Sequence, residues 1–118
     1  MRLYRIDTIG SLDGLVAHEE PPPAPGPREV LVRVKASALN FRDLFTIMGQ
    51  SPFPVQSGVI PMSDAAGEVA AVGSGVTRFQ VGDHVVNTFL PTWYGGPRAP
   101  NPETYGSCQS SVTLGRRA

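Results

Sequence analysis

The fold class is decided by one nine-residue stretch, Glu29-Val30-Leu31-Val32-Arg33-Val34-Lys35-Ala36-Ser37. Apolar residues occupy every second position, which is the period of a β-strand with one buried face. The side chains predicted to face inward are Val30, Val32, Val34 and Ala36. Leu31, Arg33 and Lys35 are predicted to face the other way.

Glycine and proline divide the rest of the chain, with 13 glycines and 12 prolines spread between short apolar runs. Such spacing is typical of short strands joined by tight turns. We predict further strands at residues 3–9, 15–19, 65–72 and 84–87, and turns at residues 10–14, 73–75 and 81–83. Residues 21–27 are predicted to be an extended connector, because proline lacks the N–H that a sheet interior needs.

The period changes between Asn40 and Met48, where apolar residues recur at helical spacing. This pattern predicts a short helix or a single extended turn. Asn40 is suited to the N-cap, Asp43 falls at the third helical position, and Gly49 is suited to the C-terminal stop. The predicted apolar side consists of Phe41, Leu44, Phe45, Ile47 and Met48.

Composition narrows the class of protein. The 118 residues indicate one domain, and equal numbers of acidic and basic residues leave no basic patch for nucleic acid. A single cysteine, Cys108, excludes an internal disulfide framework and fits a reducing cytoplasm. No apolar run approaches the length of a membrane span. Charged residues make up 17% of the chain, against about 25% in a typical soluble domain. This low fraction suggests that another domain or molecule covers part of the surface.

Three segments together resemble the medium-chain dehydrogenase/reductase superfamily, in its N-terminal GroES-like catalytic domain. They are residues 29–43, 61–69 and 72–85, and their order and spacing make the match specific. The resemblance implies a mainly all-β fold, a partly open GroES-like barrel with one short helix or turn and an irregular C-terminal tail. It implies a substrate-side domain over residues 1–108, a tail outside the family over residues 109–118, and no Rossmann domain.

The same resemblance points to the zinc-independent, quinone-oxidoreductase-like branch. Zinc-dependent members place a cysteine where Asn40 stands and a histidine where Ser63 stands, and neither replacement is a usual zinc ligand. We therefore expect no metal. The implied parent enzyme is a quinone or enone reductase, or an alcohol dehydrogenase-like enzyme. It would transfer hydride from NADP(H) to a small carbonyl-conjugated substrate, with the cofactor bound mostly by a domain this chain lacks. Gly73-Ser74-Gly75 is predicted to be a turn, because a third glycine and a following helix are missing.

Asn40 is the residue that the resemblance places against the nicotinamide and substrate, where a hydrogen bond would fix a carbonyl group. Helix capping is the alternative role. Asp43 would orient Asn40 or act as its capping-box partner. The other residues expected to line the cleft are Phe41, Phe45, Met62, Ser63 and Asp64. Phe45 departs from the tyrosine of many quinone reductases and cannot donate a hydrogen bond.

Two other classes remain open. One is a non-catalytic GroES-like binding or assembly module, since fold does not fix function. The other is an inactive, truncated remnant of the parent enzyme. The resemblance also leaves open a homodimer of the parent. Trp93 and Tyr94 are expected to cover an interface with the missing domain or to anchor a loop, and Cys108 has no expected role.

Overall fold

The computed structural model describes residues 1–52 and 54–89. These residues form five strands and one helix, and a short 3-10 turn at Leu12–Gly14 joins the first two strands. The elements are β1 (Arg2–Ile6), β2 (Leu15–Glu19), β3 (Val30–Ala38), α1 (Phe41–Ile47), β4 (Asp64–Val72) and β5 (His84–Val86). The prediction of a mainly β chain with one short helix is confirmed.

The strands form two antiparallel sheets. One contains β1 and β2, and the other has the order β3-β4-β5. Both sheets are open within the described residues, as a partly open barrel implies. Residues 20–26 have no regular structure, in agreement with the predicted connector. At the turn before β5, the Asp83 carboxylate accepts a 2.9 Å hydrogen bond from the Gln80 N–H, so this aspartate supports local backbone.

The predicted single buried face of β3 is correct only for its first half. Val30 and Val32 are buried, at 3% and 7% exposure, but Val34 is 44% exposed and Ala36 is exposed too. The pairing with β4 shifts between Leu31 and Val32, and again between Val34 and Ala36. The second shift leaves Lys35 without a partner and can change the face only of the residues after it. Val34 stays on the face of Val32 and is exposed because the described residues do not cover that end of the sheet. The two-residue period of the sequence does not reveal these shifts in strand pairing.

Two apolar clusters stabilise the described residues. The first packs the sheet against the turns around it and contains Val30, Val32 and Val69, with Val76, Phe79 and Val85 at its border. The second contains Ile6, Ile47 and Val59, with Ile9, Leu15 and Val55 at its border. Each cluster removes apolar surface from water, which is the main favourable term in folding. Helix α1 is therefore fixed to the second cluster, while β4 belongs to the first.

The helix ends where the sequence predicts. Gly49 has a φ of +69°. Its N–H donates to the Thr46 carbonyl at 3.2 Å, and the Gln50 N–H donates to the Phe45 carbonyl at 2.9 Å. This pair of bonds is the Schellman motif, which favours glycine in the left-handed position.

The predicted apolar side of α1 is only partly buried, which corrects the sequence interpretation. Ile47 is buried, but Leu44 and Phe41 are exposed. The other buried residues of the helix are Asp43 and Thr46, and the Thr46 hydroxyl donates to the Arg42 carbonyl at 3.0 Å. Helical spacing identifies which residues share a side, but the remaining structure decides whether that side is covered.

Three predictions fall outside the described residues: those for Trp93 and Tyr94, for Cys108, and for the tail over residues 109–118. Within residues 1–52 and 54–89, no helix has the length and apolar character needed to cross a membrane.

Candidate functional site

The structure brings Asn40 and Asp64 together at the end of the three-stranded sheet. Ala38, the last residue of β3, pairs with Asp64, the first residue of β4. Asn40 follows two residues later in extended conformation, with φ −115° and ψ 152°. Its side-chain amide nitrogen donates a 2.8 Å hydrogen bond to the Asp64 carboxylate. Two predicted site residues that are 24 positions apart therefore form one polar pair on the surface.

Asp43 holds the backbone of Asn40. Its carboxylate accepts a 2.8 Å hydrogen bond from the Asn40 backbone N–H, and its own N–H donates to the Asn40 carbonyl at 2.9 Å. The side chain is only 4% exposed. This is the helix-capping arrangement that the sequence predicts. Asp43 thus fixes where α1 begins, and it also fixes the backbone position from which the Asn40 side chain extends.

Phe41 and Phe45 form an aromatic pair on the first turn of α1. Their ring centroids lie 4.7 Å apart at an interplanar angle of 86°, an edge-to-face contact that aromatic quadrupoles favour. Phe45 is half-buried, whereas Phe41 is 73% exposed. Beside them, the Arg42 guanidinium lies 4.9 Å from the centroid of the Phe89 ring. An aromatic, partly exposed surface therefore begins directly after Asn40.

Met62 and Ser63 precede Asp64 and are held by residues the sequence analysis did not single out. The Ser37 hydroxyl lies 3.8 Å from the Met62 sulfur. The Asn87 side chain donates to the Ser63 carbonyl. The predicted site residues thus fall into a hydrogen-bonded group around Asn40, an aromatic pair, and the segment that leads into β4.

Ser37 and Asn87 are functional candidates that sequence reasoning missed. The only local signal at Asn87 is an asparagine that directly follows a short strand, where its side chain can replace a backbone partner. Ser37 gives no local signal at all. Its contact depends on the register of β3 with β4, which places Ser37 opposite Ala65.

Two grooves lie elsewhere on the surface. A groove of about 450 Å³ crosses the three-stranded sheet and is lined by Lys35, Ala66, Gly67, Glu68, His84, Val85 and Val86. A smaller one of about 280 Å³ is lined by Ile9, Gly49, Ser51, Pro52, Pro54 and Val55. Neither is lined by a predicted site residue. The Asn40–Asp64 pair is therefore presented on an exposed surface, not inside either groove.

An ion pair with two hydrogen bonds joins β1 to the residue after β2, away from this site. Arg5 contacts Glu20 through two hydrogen bonds of 2.6 and 2.8 Å. The hydrogen bond with Glu20 raises the pKa of Arg5, and the hydrogen bond with Arg5 lowers the pKa of Glu20. Across the described part of the chain, no three His, Cys, Asp or Glu side chains lie close enough together to hold a metal ion.

Comparison with known proteins gives a consistent family. Residues 26–115 match the alcohol dehydrogenase GroES-like domain. A zinc-type alcohol dehydrogenase-like protein of Schizosaccharomyces pombe is 43% identical over 91 residues, which cover 76% of this chain and 26% of that protein. A quinone oxidoreductase of Pseudomonas aeruginosa is 55% identical over 65 residues, covering 54% of this chain and 19% of the relative.

Among solved structures, the Escherichia coli quinone oxidoreductase complexed with NADPH superimposes with a TM-score of 0.67 at 33% identity. The match covers 74% of this chain and 26% of that one. The chain thus spans about a quarter of the length of the relatives it matches.

Proposed function

Since the chain belongs to the alcohol dehydrogenase GroES-like domain family of the medium-chain dehydrogenase/reductase superfamily, we propose that it forms the substrate side of a reductase. In this proposal the enzyme transfers hydride from NADPH to a quinone or an enone and uses no zinc. The observation that carries the proposal is the hydrogen bond between the Asn40 amide and the Asp64 carboxylate. It presents an amide and a carboxylate, and no thiolate or imidazole, where the substrate would bind.

The donor set at this position does not fit zinc. Zinc in proteins is bound by cysteine, histidine, aspartate or glutamate, and a catalytic site supplies three such ligands. Of Asn40, Ser63 and Asp64, only Asp64 is of this kind, and one of its carboxylate oxygens already accepts from Asn40. The proposed reaction therefore involves no metal, although one relative is named a zinc-type alcohol dehydrogenase-like protein.

The residues do fit a substrate or cofactor that carries a carbonyl group beside a flat ring. NADPH, when bound, supplies the hydride. The Asn40 amide offers donors and an acceptor for a carbonyl or carboxamide, and its backbone is fixed by Asp43. The exposed Phe41 ring offers an apolar wall next to it. Their role would be to hold donor and acceptor carbons in line, because hydride transfer depends on close alignment of the two.

Exposed apolar side chains support the proposal that a second domain packs over this site. Large apolar side chains are exposed on β3, α1 and β5 and between β3 and α1; they are Val34, Leu39, Phe41, Leu44 and Val86. Contiguous exposed apolar surface commonly marks an interface. We propose that a nucleotide-binding domain packs there and binds the cofactor phosphates. Residues 1–108 would be the substrate-side domain. We place the enzyme in the cytoplasm because a lone cysteine forms no internal disulfide.

A chimera tests this function. The chain would replace the matching N-terminal segment of the Pseudomonas aeruginosa quinone oxidoreductase, which supplies the rest of the protein. We expect NADPH oxidation that depends on added quinone. The substitution Asn40→Ala should lower kcat/KM by about tenfold to hundredfold, since misplaced reacting groups lose rate on that scale.

The matched control is Val81→Ala, in an exposed turn before β5, which should leave the rate unchanged. Folding of each chimera is checked by circular dichroism. A folded chimera that oxidises alcohols with NADP⁺ but reduces no quinone or enone would refute the proposed reaction. Equal rates for Asn40→Ala and Val81→Ala would refute the role of Asn40.

A further inference from the structure

The segment that leads into β4 is held in an unusual backbone conformation. Met62 has a φ of +78°, in the left-handed region that residues other than glycine seldom adopt. Such a conformation is strained and persists only where surrounding contacts enforce it. Met62, Ser63 and Asp64 are consecutive, so whatever holds this backbone also sets the direction of the Asp64 side chain.

Asn87 binds the backbone on both sides of Asp64. Its side-chain amide nitrogen donates to the Ser63 carbonyl at 2.5 Å, and its side-chain oxygen accepts from the Ala65 N–H at 2.7 Å. Its backbone N–H also donates to the Ala65 carbonyl, at 3.1 Å. One asparagine thus binds the residue before Asp64 and the residue after it. The side chain is half-buried, which limits competition from water.

Ser37 completes the arrangement from the opposite strand. Its hydroxyl donates to the Asp64 carbonyl. The backbone groups around Asp64 are therefore fixed from both sides, by Asn87 and by Ser37. The Asp64 carboxylate extends from this fixed backbone and accepts from the Asn40 amide.

We propose that Asn87 is a positioning residue for the Asn40–Asp64 pair. By binding Ser63 and Ala65 it aims the Asp64 carboxylate at the Asn40 amide, and so fixes the group that faces the substrate. The importance of this role for catalysis rests on the proposed function. The positioning itself is a property of this chain and needs neither cofactor nor substrate.

The chemistry at position 87 is specific to asparagine. One orientation of its amide donates to a carbonyl and accepts from an N–H, whereas the reverse orientation loses both bonds. Aspartate has the same shape but keeps only the acceptor, and alanine keeps neither. If residue 87 did no more than end β5, replacing the asparagine by aspartate or alanine would have no effect on Asn40.

Nuclear magnetic resonance of the whole chain tests this directly. The sequence contains three asparagines, Asn40, Asn87 and Asn101, so selective ¹⁵N labelling gives three side-chain amide signals. The Asn40 signal is assigned by its loss in Asn40→Ala. The measurement is the exchange of the Asn40 side-chain amide protons with water in Asn87→Ala, Asn87→Asp and the neighbouring control Thr88→Ala.

We expect exchange at Asn40 to accelerate about three- to tenfold in both Asn87 variants, the scale of one lost side-chain hydrogen bond, and to stay unchanged in Thr88→Ala. In a uniformly ¹⁵N-labelled sample of each variant, the backbone amide signals of Ile6 and Val69 report whether both apolar clusters survive. Unchanged exchange at Asn40 with intact clusters would overturn the proposal. Loss of the clusters in both Asn87 variants would also overturn it, since Asn87 would then be a folding residue. Failure of the quinone assay would leave this readout unaffected, so the two proposals fail separately.

Discussion

The Asn40 side-chain amide donates a 2.8 Å hydrogen bond to the Asp64 carboxylate, joining the first residue of β4 to the residue that caps α1. This bond joins two of the three segments on which the family resemblance depends. It also engages one of the two oxygens of the Asp64 carboxylate.

A double-mutant cycle measures this bond in the chain alone. Both side chains are exposed, so we expect a coupling free energy of about 0.5–1 kcal/mol between Asn40→Ala and Asp64→Ala. Urea denaturation of the wild type, both single variants and the double variant gives the value. The same cycle between Asn40→Ala and Asp13→Ala serves as control, because Asp13 lies in the turn between β1 and β2. Equal couplings for the two pairs would show that the bond contributes nothing to folding.

Asp43 should be important for stability. Asp43→Ala removes the acceptor for the Asn40 N–H, and we expect a loss of about 1 kcal/mol in the free energy of unfolding. Asp43→Asn keeps an oxygen acceptor and should lose less. The exposed Asp13→Ala should change the free energy of unfolding by less than about 0.5 kcal/mol. Thermal unfolding followed by circular dichroism would contradict the capping role if Asp43→Ala and Asp13→Ala melted alike.

Gly67 is required where β3 and β4 approach each other. A Cβ atom at this position would lie 2.3 Å from the Arg33 carbonyl oxygen, a backbone atom that cannot move aside without shifting the strand. We expect Gly67→Ala to destabilise the chain by about 1–3 kcal/mol. The control is Gly26→Ala, whose Cβ would meet only the flexible Glu29 carboxylate at 3.0 Å. Urea midpoints that fell equally for both variants would argue against this close approach.

The first apolar cluster can be tested with two valines. Val69 is completely buried, and Val69→Ala should cost about 2 kcal/mol through lost burial and the cavity it leaves. Val86 is 74% exposed, and Val86→Ala should be close to neutral in the chain alone. Both values come from urea unfolding. If Val86→Ala were as costly as Val69→Ala, Val86 would be buried in solution and unavailable for an interface.

The Arg5–Glu20 pair predicts a dependence of stability on pH. Arg5 lowers the pKa of Glu20 in the folded chain relative to the ordinary value of 4.5. A carboxyl with a depressed folded pKa stabilises the fold above its unfolded pKa, and this stabilisation is lost as the pH falls through the folded value. Glu20→Gln should therefore lower the urea midpoint at neutral pH, and the difference from wild type should disappear in acid. A difference that grew as the pH fell would have the wrong sign.

Local features of the chain were readable from sequence, and features set by strand register were not. The caps of α1 at Asn40, Asp43 and Gly49 depend on neighbours within a few residues, so composition and spacing identify them. The exposure of Val34 depends on whether another segment covers its end of the sheet, which no period reveals.

The candidate site divides in the same way. The family resemblance selected Asn40 and Asp64 one at a time, and their roles stay proposals. Their mutual hydrogen bond joins residues 24 positions apart. The contacts from Asn87 reach back 22 and 24 positions to Ala65 and Ser63. Such contacts follow from the antiparallel order β3-β4-β5 and become visible only once that order is known.

The central claim is that Asn40 serves hydride transfer at a site without zinc. The most direct measurement is the rate of a single turnover of NADPH with a quinone in the chimera, after dialysis against a chelator. We predict an undiminished rate for the wild type, no gain on adding zinc, and a rate reduced by about tenfold or more in Asn40→Ala. A rate that disappeared on chelation and returned with zinc, or that was the same in Asn40→Ala, would contradict the claim.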